Sequence, residues 1–205
     1  MAVFKSYTDL KTQVSNYLAR QDLTDKIPTF IELAEIRLNR DLRLRQTLQN
    51  SIYTMVAGTK EVPVPSDFME MKEQHLNTNP ITNLTFQSAS VYFRNGLVNT
   101  VGKPKYYTQI SQNFAYAPTP DSDYQVEMTY YKKPTLMSDT NPSNEYLIYC
   151  PDLLLYATLG ESAPYLMDDA RLSTWQLLYD RGLASLTKSN EESEYPAQPL
   201  AIQLT

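Results

Sequence analysis

Apolar residues recur every three or four positions at both ends of the chain, a spacing that places them on one face of an α-helix. Leu10, Val14 and Leu18 predict a first amphipathic helix. A second predicted helix opens at Pro28, a residue suited to a first helical turn, and continues to about Arg45. Its apolar stripe consists of Ile27, Ile31, Ala34, Leu38 and Leu42.

The helical period returns near Pro151 and again in a last predicted helix over about 167–188. The last helix has one broad apolar face, made of Leu172, Trp175, Leu178, Tyr179, Leu183 and Leu186. Because apolar stripes of this kind must be buried, we expect the N- and C-terminal helices to pack as one bundle. Trp175 is then expected to lie against Ile31, Leu38 or their neighbours.

Between about residues 46 and 145 the apolar period changes to two, which is typical of β-strands. The segments Ser51–Met55 and Lys60–Val64 flank Gly58 as the strands of a hairpin would. Further strands are expected at Met69–His75, Pro104–Ile110, Phe114–Ala117 and Tyr124–Tyr131, with one short helix at Phe86–Phe93. The chain is therefore predicted to be α+β, with a β-rich lobe, barrel- or sandwich-like, inserted into a helical bundle.

These patterns divide the chain into four expected segments. They are the N-terminal bundle helices (1–45), the β-rich insertion (46–145), the C-terminal bundle helices (146–188) and an extended C-terminal arm (189–205). The arm lacks a helical period, and its apolar residues Leu200, Ile202 and Leu204 alternate with smaller or polar ones. Such a segment suits an extended strand added to a partner's sheet edge or laid in a groove, with these three residues as anchors.

The composition argues against several classes of enzyme. The 205 residues include one histidine, His75, and one cysteine, Cys150, too few for a zinc site built from Cys and His. None of the five glycines lies in a phosphate-binding pattern. We therefore expect no catalytic residue, no metal and no cofactor. No apolar run is long enough to span a membrane, so no membrane partner is expected.

Charge is distributed unevenly along the chain. The net charge is −5, and residues 134–205 carry three basic and ten acidic side chains. This balance argues against a nucleic-acid-binding protein, because affinity for phosphates comes chiefly from clustered Lys and Arg. The one basic cluster lies on the second helix and consists of Arg37, Arg40, Arg43 and Arg45. We expect these arginines to meet carboxylates of a neighbouring protein, such as another copy's acidic C-terminal third.

The sequence also leaves open two other functions, a peptidoglycan glycosidase and a carbohydrate-binding β module. Paired carboxylates, Glu32 with Glu35 or Asp168 with Asp169, are the residues a peptidoglycan glycosidase would use. Spaced by three on an amphipathic helix, Glu32 and Glu35 are more simply a solvated face. A carbohydrate-binding β module would use an aromatic surface built from Tyr106, Tyr107, Tyr116, Tyr130 and Tyr131. In alternating strands about half of such tyrosines are expected in the core instead.

Residues 20–43 read RQDLTDKIPTFIELAEIRLNRDLR. This stretch resembles the head-to-tail adaptor proteins of short-tailed bacteriophages, which carry a similar R-x-D-L…I-P-x-F-I-x-L-A-E-x-R-[IL]-N-R-x-L-R. The order of the later segments is also similar to that family: VPVPSDFMEM, then YYKKPTL, then the apolar YLIYCPDLLLYATLGESAPYLMDD. The resemblance covers about residues 6–188.

The resemblance implies a non-enzymatic structural protein of the virion neck, assembled in the host cytoplasm. Such adaptors form a ring, usually twelvefold, that sits beneath the portal and receives the tail nozzle or tail fibres. DNA passes through the ring. A ring subunit needs two different contact faces, and a basic N-terminal region with an acidic C-terminal region provides them. The arm is expected to attach to the portal or to a ring neighbour.

Overall fold

The computed structural model describes residues 4–166 and 170–194. Two helices open the chain, α1 (Tyr7–Leu18) and α2 (Ile27–Asp41), joined by a 3-10 turn at Gln21–Lys26. The side chain of Ser6 accepts a hydrogen bond of 3.2 Å from the backbone N–H of Asp9, which satisfies a free donor at the start of α1. The helix α2 ends four residues before the predicted boundary at Arg45.

The stretch from Leu48 to Lys133 contains eight strands and one short helix, and it forms a compact unit of its own. In chain order these elements are β1 (Leu48–Met55), β2 (Glu61–Pro63), β3 (Phe68–Leu76), β4 (Thr82–Asn83), β5 (Thr85–Phe86), α3 (Ala89–Arg94), β6 (Tyr106–Ile110), β7 (Asn113–Ala117) and β8 (Tyr124–Lys132).

The strands form two four-stranded sheets, in the orders β1-β8-β3-β4 and β2-β7-β6-β5. All neighbours are antiparallel except β5 and β6. Apolar side chains of both sheets share one core, so the lobe is a sandwich. The predicted hairpin of β1 with β2 was wrong. The connection through Gly58, at φ +75°, carries the chain from one sheet to the other, so β1 pairs with β8 and β2 with β7.

The interior of the sandwich contains a hydrogen-bonded set of three polar side chains, Tyr53, Gln74 and Tyr116, as well as apolar side chains. The Tyr116 hydroxyl donates to the Gln74 side chain (3.1 Å) and contacts the Tyr53 hydroxyl, which accepts from the Gln74 amide (3.2 Å). On the outer face of the second sheet, Tyr92 of α3 is buried and donates a 2.9 Å hydrogen bond to the Tyr116 carbonyl. The helix α3 therefore covers that sheet on the side away from the sandwich core.

Three more helices follow, α4 (Glu145–Tyr149), α5 (Pro151–Glu161) and α6 (Arg171–Glu194). The helix α6 continues six residues beyond the predicted end at Lys188, so residues 189–194 are helical and do not belong to an extended arm. The Asn190 amide donates to the Arg43 carbonyl at 2.9 Å, so the extended end of α6 is bound to the segment that follows α2. The rest of the predicted arm, including Leu200, Ile202 and Leu204, lies outside the described residues.

The segments before Leu48 and after Lys133 form the second compact unit, a helical bundle. Helices α2 and α6 both pack against α5, and one hydrophobic core includes residues of α1, α2, α5 and α6. Gly182 allows close approach of α6 to α5, because a Cβ at this position would lie 3.1 Å from the Leu153 side chain. The predicted α+β class, a bundle of N- and C-terminal helices with a β-rich insertion, is confirmed.

Candidate functional site

The candidate interface predicted from the sequence lies on the polar side of α2, where the polar side chains have different surroundings. Glu35 is fully buried within the bundle unit, although its position in the sequence indicated an exposed face. Its carboxylate accepts hydrogen bonds from the backbone N–H of Met137 (3.1 and 3.2 Å) and from the Asn144 amide (2.5 Å). Glu35 therefore fastens the loop before α4 onto α2.

Burial is also the main cause of an unusual proton affinity at Glu35. Loss of solvent raises the pKa of the Glu35 carboxyl to about 7, although the hydrogen bonds from Met137 and Asn144 act in the opposite direction. A perturbed carboxyl is a feature of acid–base catalysis as well as of structural sites. Here both carboxylate oxygens already have donors from the protein itself, which supports a structural role.

The carboxylate pairs proposed for a glycosidase do not form an accessible site among the described residues. Glu32 is exposed to solvent, but Glu35 is enclosed by the protein, so the two side chains share no open surface on which a sugar would bind. The second pair, Asp168 with Asp169, lies outside the described residues. The glycosidase alternative therefore has no support from the geometry of α2.

Arg37 finds its partners within its own chain. The guanidinium donates to the Gln176 side chain at 3.0 Å and lies 3.6 Å from the Glu161 carboxylate. It also stacks over the ring of Tyr179, 4.0 Å from the centroid, and pairs with Asp41 one turn later at 3.6 Å. The side chain is only 20% exposed. Arg37 thus joins α2 to α5 and α6, and its acidic partner in the C-terminal third is intramolecular.

Arg43 completes the end of α2. Its guanidinium donates to the carbonyl oxygens of Asn39 (2.9 Å), in the last turn of the helix, and of Leu42 (3.1 Å), the residue that follows the helix. Carbonyls at a helix C-terminus lack intrahelical donors, and a cation at this end also interacts favourably with the helix dipole. Arg43 is half-buried and acts in helix capping.

Arg40 and Arg45 differ from the other two arginines. Both are exposed, and within residues 4–166 and 170–194 their side chains form no hydrogen bond or ion pair. Arg40 shares one side of α2 with Leu33, which is 41% exposed, and Ile36, which is 37% exposed. The spacing of three and four residues places the three side chains in one row. We call Leu33, Ile36 and Arg40 the outer row of α2.

The five tyrosines proposed as an aromatic surface do not form one. Tyr107, Tyr116 and Tyr130 belong to the core of the sandwich, and Tyr131 is also buried. Only Tyr106 of this group is partly exposed. Alternation along the strands turns most of the rings inward, so this set offers no platform for stacking against a sugar.

A different apolar surface, which the sequence analysis missed, lies at one edge of the sandwich. A cleft of about 430 Å³ opens there between β3 and the second sheet. Its apolar lining consists of Phe68, Met69, Met71, Phe86, Tyr107 and Phe114. We call this feature the edge cleft. The sequence gives one signal for it. No long strand pattern lies between β3 and β6, so no long strand is available there to cover this edge of the sandwich.

The described ranges contain neither a metal site nor a membrane-spanning helix. No group of three or more His, Cys, Asp and Glu side chains there is arranged to hold a metal ion. Of the helices described, none combines the length and the apolar character that crossing a membrane requires.

Comparison with known proteins identifies the family. The family model for the SU10 adaptor protein matches residues 5–202, which is nearly the whole chain. A search of curated proteins found no match. The match agrees with the resemblance of residues 20–43 to phage adaptors, and the fold gives these motif residues structural roles, since Glu35 and Arg37 join α2 to other parts of the bundle and Arg43 caps the end of the helix. The chain therefore belongs to the SU10 adaptor protein family, a family of structural proteins of bacteriophages.

Proposed function

We propose that this protein is a head-to-tail adaptor that forms a ring between the portal and the tail nozzle or fibres, with DNA passing through the ring. Family membership supports a structural role in the virion neck, in contact with other virion proteins. The twelvefold symmetry usual in the adaptors it resembles is the symmetry we propose for this ring. The main structural support for contacts between subunits comes from the surface of α2.

The outer row of α2 is the observation that supports subunit contacts. The opposite side of α2 is already buried in the bundle of its own chain. Leu33 and Ile36 nevertheless expose apolar area on the other side, next to Arg40, whose cation has no ion pair with any residue that the structure describes. Neighbouring apolar side chains beside an uncompensated charge are typical of a protein interface with a polar rim. A second copy of the chain is the partner we propose.

The acidic end of α6 supplies the complementary charge. Glu191 and Glu192 are exposed there, and Glu192 lies 3.8 Å from the Lys188 ammonium, a long ion pair. A ring requires a heterologous contact, in which two different patches of the same chain meet. We propose that the outer row and Arg45 of one subunit face the acidic end of α6 in the next. Exposed ion pairs contribute little energy, so the charges orient the contact while Leu33 and Ile36 supply buried area.

Two further parts of the proposal concern DNA and the arm. The net charge of −5 suits a channel that DNA must traverse, because a basic lumen would bind DNA by counterion release. Leu200, Ile202 and Leu204 are proposed to anchor the arm on a neighbouring protein of the neck, as their alternating pattern indicates.

The experiment reverses the charges of the two outward arginines. The double variant Arg40→Glu, Arg45→Glu is compared with Lys26→Glu, Arg181→Glu, which makes the same change in net charge at two exposed positions without an ion pair in the described structure. Native mass spectrometry and electron microscopy follow ring formation, alone and with the portal protein of the same phage. Circular dichroism checks that each variant is folded.

We expect the wild type and the control variant to form rings with the portal, and the Arg40→Glu, Arg45→Glu variant to remain a folded monomer. Normal rings of that double variant would show that the outer row is not the subunit interface. A wild type that forms no ring on the portal would contradict the proposed function itself.

A further inference from the structure

The edge of the sandwich is only half closed by the chain's own strands. Strand β4 pairs with β3 only at His75 and Leu76, and β5 pairs with β6 only at Tyr106 and Tyr107. Among residues 4–166 and 170–194, no strand lies on the outer side of the rest of these two edges, Phe68–Glu73 in β3 and Thr108–Ile110 in β6. The edge cleft lies along this uncovered half, where a longer strand would have continued.

The edge cleft is built from aromatic side chains that support one another. Phe68 lies edge-on against Phe114, with ring centroids 5.3 Å apart. Phe86 lies edge-on against Tyr107 at 5.6 Å, and it is nevertheless 58% exposed. Rings held in this way give the cleft a fixed shape, while the exposed face of Phe86 provides apolar area that an occupant would bury.

The backbone beside the edge cleft favours an extended occupant. Edge strands present free N–H and C=O groups, and peptides bind such edges as an added strand. Two irregularities in β3, between Phe68 and Glu70 and between Met71 and Glu73, interrupt its ladder with β8. A strand added to the outer side of β3 can therefore form only a short regular hydrogen-bond ladder with it. The occupant must obtain part of its binding from apolar side chains placed in the cleft at every second position.

The chain itself contains a segment with these properties. In residues 200–204 the apolar side chains Leu200, Ile202 and Leu204 alternate with Ala201 and Gln203, and no proline follows Pro199. Residues 195–205 carry no charged side chain, which suits an apolar cleft whose lining includes one acidic and one basic residue, Glu70 and Lys72. Five extended residues span roughly 17 Å, and the uncovered stretch of β3, six residues long, spans roughly 20 Å.

We infer that the edge cleft of one subunit receives residues 200–204 of a neighbouring copy as a short added strand. A chain with both a donor segment and an acceptor cleft has the two different surfaces that a ring contact requires. This inference rests on the proposed ring, and it identifies the acceptor of the arm as the sandwich of the next subunit.

Cysteine cross-linking between two full-length variants tests this inference. One variant carries Met71→Cys in the edge cleft, and the other carries Ile202→Cys in the donor segment. They are mixed in equal amounts and oxidised mildly, and covalent dimers are counted by mass. The native Cys150 is buried, so it contributes little background. In the control mixture Phe93→Cys replaces Met71→Cys, because Phe93 is 63% exposed in the same unit but does not line the cleft.

We expect the Met71→Cys and Ile202→Cys mixture to give at least tenfold more heterodimer than the control mixture. Equal yields from both mixtures, or no heterodimer in either, would overturn the inference. A third variant carries Met71→Cys and Ile202→Cys in one chain. If only this variant cross-links, and does so within a monomer, the arm binds its own sandwich, which also overturns the inference. Ring formation by the wild type on the portal is measured separately. It tests the proposed function whatever the cross-linking result, so the two can fail independently.

Discussion

The guanidinium of Arg37 lies over the ring of Tyr179, 4.0 Å from its centroid, and so connects α2 to α6. The Tyr179 hydroxyl in turn donates a 2.7 Å hydrogen bond to Asp41, which is one turn after Arg37 on α2. Burial and the adjacent Asp41 carboxylate both raise the pKa of Tyr179, so the phenol stays protonated and remains the donor. Arg37, Tyr179 and Asp41 thus each contact the other two, and together they connect α2 to α6.

Replacement of Arg37 by alanine is expected to destabilise the protein by about 1–3 kcal/mol, because the variant loses the contact with Tyr179 and the hydrogen bond to Gln176. Urea unfolding followed by circular dichroism measures the change. Arg40→Ala on the same helix is the matched control, and its effect should stay within about 0.5 kcal/mol since the side chain is exposed. Equal losses in the two variants would contradict the structural role of Arg37.

Glu35 is expected to make stability depend on pH. The pKa of its carboxyl is about 7 in the folded protein and about 4.5 once unfolding exposes it. Below pH 4.5 both states are protonated, and the contribution to stability is fully present. As the pH rises towards and through 7, the unfolded state ionises first, so this contribution is lost, by up to about 3 kcal/mol.

The variant Glu35→Gln isolates this effect, because it removes the titrating group and keeps a similar shape. Between pH 4 and pH 8 the wild type should lose up to about 3 kcal/mol more unfolding free energy than the variant does. Thr29→Ser, an exposed change on the same helix that alters no titrating group, should leave the pH profile parallel to that of the wild type. Parallel profiles for Glu35→Gln as well would mean that the buried carboxyl has an ordinary pKa.

Trp175 is expected to contribute strongly to the bundle core, where it is 5% exposed. Replacement by alanine should lower the unfolding free energy by about 3–5 kcal/mol, because the cavity left behind cannot collapse fully. Leu177→Ala, a half-exposed position on the same helix, should cost much less. A loss below about 1 kcal/mol for Trp175→Ala would show that α6 does not share the core of the N-terminal helices.

Local patterns in the sequence were sufficient for the fold class and for the buried faces of the main helices, although not for where those helices end. The apolar spacing of α2 and α6 predicted which side of each helix is buried, and Ile31, Leu38 and Trp175 do belong to one core. This works because a helix turns by a constant angle per residue, so spacing alone defines a face. The alternation in β8 likewise predicted a strand with Val126, Met128 and Tyr130 inside the sandwich.

Strand pairing and the roles of polar residues depended on the tertiary structure. Periodicity identifies a strand but not its neighbour, so a pattern typical of a hairpin in β1 and β2 was compatible with two strands in different sheets. The same limit applies to the edge cleft, which exists because β4 and β5 are too short to cover the edges of β3 and β6. Nothing local to β3 indicates how much of its edge another segment covers.

The charged residues in and just after α2 show most clearly what the sequence determines and what the tertiary structure decides. The sequence by itself determined the apolar stripe of α2 and the adaptor motif, and it predicted a solvated face for Glu35, Arg37 and Arg40 and for Arg43 and Arg45, which follow the helix. Only the tertiary structure decided that Glu35 is buried under the loop before α4 and that Arg37 reaches α5 and α6, while Arg40 and Arg45 face solvent. The reason is physical: whether a charge is solvated or paired depends on segments more than a hundred residues away in the chain, which fold against the helix.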